Sequence, residues 1–214
     1  SLLAQPLDYA LTHSSAHLRT LVHVSTAFVH GRKSGTTSSP LPQELPDLGG
    51  RNPERLYRSA QCTGPAGGAG REAVDAMSDL GYPNTYTFTK ALGEHLLARA
   101  LGAHNRRLDR EAAERREDAS GGSSCPPRLP RRLMLRIVRP SIVGPSWVFP
   151  WPGWTGEQPS TVTGCQVLVL QRAVKTFRLG PHPAPIIPVD VVSRAIVHMA
   201  LGWGGPLTTA AAAV

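Results

Sequence analysis

The sequence predicts an α/β protein in which a parallel sheet is flanked by helices. Three segments carry this prediction: an apolar, β-branched stretch at residues 20–29, a helical pattern from about residue 84 to 101, and a strand-like stretch at residues 133–139. A strand, a helical crossover and a second strand make a βαβ unit, whose strands are parallel. A length of 214 residues suits one domain.

The first strand, predicted at residues 20–29, has the composition of a strand buried on both faces and contains the hydroxyl pair Ser25 and Thr26. Hydroxyl groups at the carboxyl end of a parallel strand lie where open α/β sheets bind their ligands. The alternative is that both residues are merely tolerated within the strand. Residues 30–70 are rich in Gly, Pro, Ser and Thr without a sustained period, which predicts a long surface excursion.

Two helices are predicted next. The first covers Arg71 to Leu80 and is closed by Gly81, because glycine is common just past a helix end. The second is opened by Pro83–Thr85 and continues to about Leu101, with apolar residues at helical spacing.

The second helix carries Tyr86 and Lys90, which are four residues apart and therefore share one face. An ammonium group beside a phenol stabilises the phenolate, so Lys90 is expected to lower the pKa of Tyr86 below its usual value of about 10. Such a tyrosine could donate a proton to a carbonyl oxygen while hydride arrives at the carbon. The spacing alone is unspecific, since an ordinary aromatic residue and a solvated lysine also produce it.

The positive charge of the chain is concentrated in one region. Eleven arginines and five acidic residues lie between Arg99 and Arg139, which gives +6 of the net charge of +8. Residues 102–132 change composition abruptly and are predicted to be an exposed low-complexity insertion. Because no aromatic residues are interleaved and acids are mixed in, a solvated charge run is favoured over nucleic-acid binding.

Cysteine usage and hydropathy exclude several classes of protein. Cys62, Cys125 and Cys165 are scattered and odd in number, which argues against zinc and against a disulfide framework and favours a reducing compartment. We expect no metal site. No apolar run approaches the length of a membrane span, so any membrane contact is expected to be peripheral. The chain starts at Ser1 without Met or a signal segment, which indicates a fragment or a processed chain, truncated at its N-terminus.

The last third of the chain contains an aromatic segment, residues 147–154, with three of the four tryptophans. This segment is expected to be either a packed corner or an apolar wall for a ligand, and the sequence does not separate the two. A helix is predicted at residues 163–177. Residues 186–192 lead into an apolar helix that extends through Met199, with Asp190 suited to its first turn.

Five blocks, in this order, resemble the alcohol-forming fatty acyl-CoA reductases of the extended short-chain dehydrogenase/reductase superfamily: HVSTAFV (23–29), YPNTYTFTKALGE (82–94), IVRPSIV (137–143), FPWPGW (149–154) and IPVDVV (187–192). They cover a little under a fifth of the chain, and their shared order is far more specific than any single motif. The resemblance implies a Rossmann-like sheet. It describes residues 1–214 as a partial NAD(P)-binding reductase domain, with a small C-terminal substrate-binding region at residues 145–214.

The resemblance also assigns catalytic roles. Tyr86 would donate the proton, and Lys90 would assist it and hold the ribose hydroxyls of the nicotinamide nucleotide. Thr26 would hydrogen-bond the substrate carbonyl, with Ser25 as the neighbouring candidate. Ser25 and Tyr86 would also contact the cofactor.

The remaining assignments concern the walls of the site. Pro140, Ser141, Ile142 and Val143 would pass beside the nicotinamide, while Trp151 and Trp154 would contact the substrate.

The implied reaction is the reduction of a long-chain acyl-CoA by NADPH to an aldehyde and then to a fatty alcohol, in lipid metabolism. An intracellular location is implied, with peripheral association with the endoplasmic reticulum or another organelle membrane as a further expectation. No nucleic-acid partner is expected, and the oligomeric state is left open.

One part of the superfamily pattern is not matched. The glycines of residues 64–70 follow no convincing strand and come after the first landmark, so they are interpreted as a loop and not as the phosphate-binding turn. Two alternatives therefore stay open. One is another member of the extended short-chain dehydrogenase/reductase superfamily, such as a carrier-bound thioester reductase or a nucleotide-sugar epimerase. The other is a non-catalytic remnant of the fold.

Overall fold

The computed structural model describes residues 19–31, 44–61, 70–119, 132–157, 161–172 and 184–202. In these residues the elements are β1 (Thr20–Val24), α1 (Pro53–Gln61), α2 (Arg71–Asp79), α3 (Thr85–Ala119), β2 (Met134–Val138), β3 (Ile142–Gly144), α4 (Thr161–Leu170), β4 (Ile186–Pro188) and α5 (Val189–Leu201). Parallel strands with helices between them confirm the predicted α/β class.

The chain divides into two compact units. The first comprises Ser1–His23 and Val29–Ile137, and the second comprises Val24–Phe28 and Val138–Val214. The predicted C-terminal substrate-binding region, residues 145–214, lies within the second unit, which also takes in residues 138–144 and the segment that begins at the last residue of β1.

In the first unit, β1 pairs with β2, and the Met134 N–H donates to the Arg19 carbonyl oxygen over 2.9 Å. Helices α1, α2 and the start of α3 enclose the core. Its buried members are Val29, Leu48, Leu56, Ala73, Ala76, Tyr82, Phe88, Ala91 and Leu92. The apolar spacing predicted for the second helix is therefore the spacing of residues that face this core.

Helix α1 corrects the prediction of an irregular excursion from residue 30 to 70. The Asn52 side chain accepts hydrogen bonds from the N–H groups of Glu54 (2.9 Å) and Arg55 (3.4 Å), which caps the helix. Pro53 occupies the first turn, where its missing N–H costs nothing, and Leu56 is buried. The asparagine-proline pair was a start signal that the surrounding glycines and prolines obscured.

Helix α3 corrects the predicted helix end at Leu101. It continues to Ala119 because Arg, Glu and Ala are strong helix formers and a single glycine does not stop a helix. The Asn105 side chain accepts from the Leu133 N–H (3.0 Å) and donates to the Leu133 carbonyl oxygen (2.9 Å). The beginning of the predicted insertion is thus an ordered part of the first unit.

In the second unit, β3 and β4 are parallel and pair Ile142 with Ile186, Val143 with Ile187 and Gly144 with Pro188. Gly144 is required by close approach, since a Cβ atom there would lie 2.5 Å from the Ile186 Cγ2 atom. The predicted strand-to-helix passage at residues 186–199 is confirmed by β4 and α5.

Other predicted boundaries shift. Strand β1 ends at Val24 and not at residue 29, because the chain turns at residues 27–31. Helix α2 ends one residue before its predicted end, and Gly81 follows with a φ of 71°, which confirms its role as a helix stop. Helix α4 begins at Thr161 and ends at Leu170, and residues 173–177 of the predicted helix lie outside the described residues. Other predictions that fall outside the described residues concern Cys62, Cys125, the glycines at 64–69 and residues 120–131.

Candidate active site

Tyr86 and Lys90 lie at the beginning of α3, in the first unit. Asn84 caps this helix by accepting a hydrogen bond from the Thr87 N–H over 2.9 Å. The Lys90 ammonium lies 5.9 Å from the centroid of the Tyr86 ring, and Tyr86 is 56% exposed. The structure therefore brings the predicted pair together, with the phenol open to solvent and in the first turn, where the helix dipole favours negative charge.

A buried carboxylate follows the pair on the same helix. Glu94 stands four residues after Lys90 and is fully buried, at 0% exposure. Residues 86, 90 and 94 are spaced at i, i+4 and i+8, so one face of α3 leads from solvent into the core. This spacing was visible in the sequence, although only the first two of these residues were predicted to act.

His23, on β1, is the neighbour of this face. Burial lowers the pKa of His23, Lys90 lowers it further, and Glu94 opposes the two. The imidazole is therefore neutral at physiological pH. Its buried Nε2 atom has no hydrogen-bond partner within the described part of the chain.

Ser25 and Thr26 belong to the second unit and are both buried. The Ser25 N–H donates to the Val138 carbonyl oxygen over 2.8 Å, and the Ala27 N–H donates to the Pro140 carbonyl oxygen over 2.9 Å. The predicted hydroxyl pair is thus fixed beside the predicted cofactor segment at residues 140–143.

The two hydroxyls differ in their partners. The Thr26 Oγ1 atom accepts a long hydrogen bond from the Phe28 N–H, at 3.4 Å, whereas the Ser25 Oγ atom is buried without a partner among the described residues. Buried polar groups are nearly always paired, so an unpaired hydroxyl calls for an explanation, and a bound ligand is one. That the hydroxyls and the Tyr86–Lys90 pair act on one carbonyl group stays a prediction.

The aromatic segment, residues 147–154, is held from within the second unit by Asp190. Its carboxylate accepts hydrogen bonds from the N–H groups of Trp147 (2.9 Å), Val148 (3.0 Å) and Phe149 (3.2 Å). The hydrogen bond from Trp147 has the largest effect, and together the three donors lower the pKa of Asp190 to about 2, although burial acts to raise it. The sequence placed Asp190 correctly in the first turn of α5 but did not reveal this bond set.

A cavity of about 690 Å³ opens between the aromatic segment and α5. Its apolar lining consists of Phe149, Pro150, Trp154, Val189 and Val197, and its polar lining of Asp190, Ser193, Arg194 and His198. Trp154, predicted to contact substrate, is part of this lining. Trp151, predicted likewise, is not among the lining residues and is exposed.

Within the described residues, no group of three or more His, Cys, Asp or Glu side chains could hold a metal ion. None of the described helices combines the length and the apolar character that crossing a membrane requires.

Comparison with known proteins identifies relatives over most of the chain. Residues 8–108 match an NAD-binding family described as male sterility protein. The chain is 28% identical over 196 residues to an alcohol-forming fatty acyl-CoA reductase of Simmondsia chinensis, which covers 84% of this chain and 34% of that protein. It is 33% identical over 196 residues to fatty acyl-CoA reductase 1 of Xenopus laevis, which covers 90% of this chain and 30% of that protein.

A third relative, a probable fatty acyl-CoA reductase 4 of Arabidopsis thaliana, is 28% identical over 203 residues, which is 87% of this chain and 35% of that protein. The chain thus spans about a third of the length of these relatives. No solved structure matches it. The match to an NAD-binding family, together with the parallel strands, confirms a Rossmann-type domain for a nicotinamide cofactor.

Proposed function

We propose that this chain, which is similar to fatty acyl-CoA reductases over most of its length, forms part of an active site that reduces a long-chain acyl-CoA to a fatty alcohol. The observation that carries this proposal is the placement of the Lys90 ammonium 5.9 Å from the Tyr86 ring, at an exposed and capped helix start. A proton donor for a carbonyl needs such access to substrate and such a neighbouring positive charge.

The residues present fit a nicotinamide nucleotide. The Lys90 ammonium has three N–H donors suited to ribose hydroxyl oxygens, and the apolar side chains of Ile142 and Val143, with Pro140 and Ser141, suit the flank of a nicotinamide ring. The cofactor, which we propose to be NADPH, supplies the hydride for the carbonyl carbon.

Protein residues supply the proton and the charge stabilisation. Thr26, or Ser25 with its unpaired hydroxyl, donates a hydrogen bond to the carbonyl oxygen as negative charge develops there. Tyr86 protonates that oxygen, and Lys90 stabilises the phenolate that is left. The hydroxyl proton then returns to the Tyr86 phenolate as the carbonyl re-forms, the carbon–sulfur bond breaks, and coenzyme A leaves as a thiol once its sulfur is protonated. Reduction and protonation of the aldehyde yield the alcohol, so each acyl-CoA consumes two NADPH and two protons.

The test is alcohol formation by the full-length protein. With hexadecanoyl-CoA and NADPH, we expect hexadecanol by gas chromatography, and a decrease in kcat/KM of about 10²–10⁴-fold for Tyr86→Phe, the usual size of a general acid contribution. Tyr57→Phe, which alters a surface hydroxyl on α1, is the matched control and should keep full activity. Full activity of Tyr86→Phe, or no alcohol from the wild type, would refute the proposal.

Two further arms resolve the finer assignments. Replacement of NADPH by NADH tests the choice of cofactor, and trapping with hydroxylamine detects a free aldehyde. Turnover of a nucleotide sugar in place of acyl-CoA would assign the site to an epimerase of the same fold.

A further inference from the structure

We propose that the cavity between the aromatic segment and α5 binds the alkyl chain of an anionic amphiphile, and that Arg194 binds its anionic group. The proposal deepens the proposed function, on which it rests for naming the amphiphile as an acyl thioester of coenzyme A. It assigns a binding role to Arg194 and Val197, which neither the sequence motifs nor the reaction chemistry singled out.

The shape and lining of the cavity suit an alkyl chain. A volume of about 690 Å³ lies within the usual range for small-molecule sites, roughly 300–1,000 Å³. Phe149 and Trp154 form one wall and Val197 the other, and both Phe149 and Val197 are exposed to solvent. A chain that covers these side chains removes apolar surface from water, which favours binding.

The aromatic wall is held in place before any ligand binds. Asp190 accepts three backbone hydrogen bonds from residues 147–149, and the Ser146 hydroxyl donates to the Trp151 carbonyl oxygen over 2.5 Å. The Ser146 oxygen also accepts from the Trp154 N–H over 3.1 Å. Because the beginning of the segment is bonded to Asp190 and its end to Ser146, little conformational entropy is lost when a ligand enters, which favours affinity.

The charge of the lining selects an anion. Arg194 is exposed and forms no hydrogen bond or ion pair with any residue that the structure describes. Asp190, the acidic member of the lining, is already satisfied by three N–H donors. A guanidinium pairs well with either a phosphate or a carboxylate, so both the phosphates of coenzyme A and the carboxylate of a fatty acid fit this chemistry.

Binding is measured with ligands that cannot be reduced. S-alkyl thioethers of coenzyme A with 8, 10 and 12 carbons lack a carbonyl group, and they are titrated into the full-length protein by calorimetry, beside coenzyme A alone and free fatty acids of the same lengths. We expect affinity to rise roughly fourfold for each methylene buried, the equivalent of about 0.8 kcal/mol. Fatty acids that bind as well as thioethers would identify a carboxylate as sufficient, whereas weaker binding would assign the anionic contact to the phosphates.

Variants locate the two parts of the ligand. Val197→Trp fills the cavity and should lower affinity for the 12-carbon thioether at least tenfold without changing that for coenzyme A. Val74→Trp, on α2, is its control, since the two valines are equally exposed at 55% and 58%. Arg194→Gln should weaken all anionic probes to a similar degree, and Arg58→Gln, an exposed arginine on α1, should not.

The outcomes separate this proposal from the proposed function. Affinity independent of chain length, or unaffected by Val197→Trp, would overturn the cavity proposal even if the protein reduces acyl-CoA. Chain-dependent binding by a protein that forms no alcohol would support the cavity and refute the reductase. Binding only to phosphatidylcholine vesicles, with none of the thioethers bound, would also overturn it and assign the aromatic segment to a membrane surface.

Discussion

Removal of one buried hydroxyl, by Tyr82→Phe, tests the packing that supports the start of α3. Tyr82 is 6% exposed, and its hydroxyl donates to the carbonyl oxygen of the fully buried Val29 over 2.8 Å. Its ring contacts the Phe88 ring with centroids 5.3 Å apart, and phenylalanine keeps this contact. The substitution therefore deletes the hydrogen bond while preserving the apolar packing.

The expected cost follows from what is left behind. A buried carbonyl that loses its donor costs about 1–3 kcal/mol, so the free energy of unfolding should fall by that amount. Urea titration at 25 °C and pH 7 measures it as a lower midpoint with an unchanged slope. In Tyr57→Phe the lost hydroxyl accepts from the Gln61 side chain at the surface, and the change should stay within about 0.5 kcal/mol.

The same residue predicts a loss of stability in alkali. Burial raises the pKa of Tyr82 to about 12, and the negative charges of Glu94 and Asp47 act in the same direction. The folded state thus favours the neutral phenol, so this stabilisation is present below pH 10 and is lost as pH rises from about 10 to 12. Between these values wild type should lose stability more steeply than Tyr82→Phe. Parallel curves for the two proteins, or a Tyr82→Phe midpoint equal to wild type at pH 7, would refute the reasoning.

Two further predictions concern stability. The pKa of Asp190 is about 2 in the folded state, so the stability that its carboxylate contributes is present above about pH 4 and is lost as pH falls towards 2. In urea titration at pH 6, Asp190→Asn should therefore be less stable than wild type. A difference in stability between the two proteins that does not narrow at pH 2.5 would contradict this. Gly144→Ala should cost about 1–3 kcal/mol, because its Cβ atom would overlap the branched Ile186 side chain. Gly102→Ala, inside α3, should instead raise the melting temperature, because alanine is a better helix former than glycine and the flexible Arg106 side chain can move away from the new Cβ atom. Equal shifts in melting temperature for Gly144→Ala and Gly102→Ala would contradict this difference.

The elements that sequence predicted well are those with local signals. Helix α2 has periodic apolar residues and a glycine stop, and α5 follows a short apolar strand with an acidic residue in its first turn. The elements predicted badly had conflicting local signals. The asparagine cap of α1 lies among glycines and prolines, and the second half of α3 is bonded through Asn105 to Leu133, the residue before β2, a contact across 28 residues. Helices are predicted from stretches of 11–18 consecutive residues, and no such stretch contains both Asn105 and Leu133.

The site divides in the same way. Residues four apart on a helix lie on the same face, so the sequence alone was enough to predict that Tyr86 and Lys90 are neighbours. The clamp of Asp190 on the aromatic segment joins residues 41 to 43 positions apart, and only the folded chain reveals it. The Thr26 hydroxyl has a hydrogen-bond partner and the Ser25 hydroxyl has none among the described residues. The sequence could not show this difference, because it depends on where the turn after β1 places the Phe28 N–H.

The position of the Tyr86 phenol is determined by the core beneath it. The side chain is itself exposed, yet the next turns of α3 bury Phe88, Ala91 and Leu92, and the helix cannot rotate without exposing them. Because a helix rotates as one body, any rotation that moved Tyr86 would also carry Glu94 out of the interior. A buried carboxylate is retained only with compensating interactions, and these would then be lost. The exposed Tyr86 phenol therefore stands on a rigid base, which suits the role of proton donor that we propose for it.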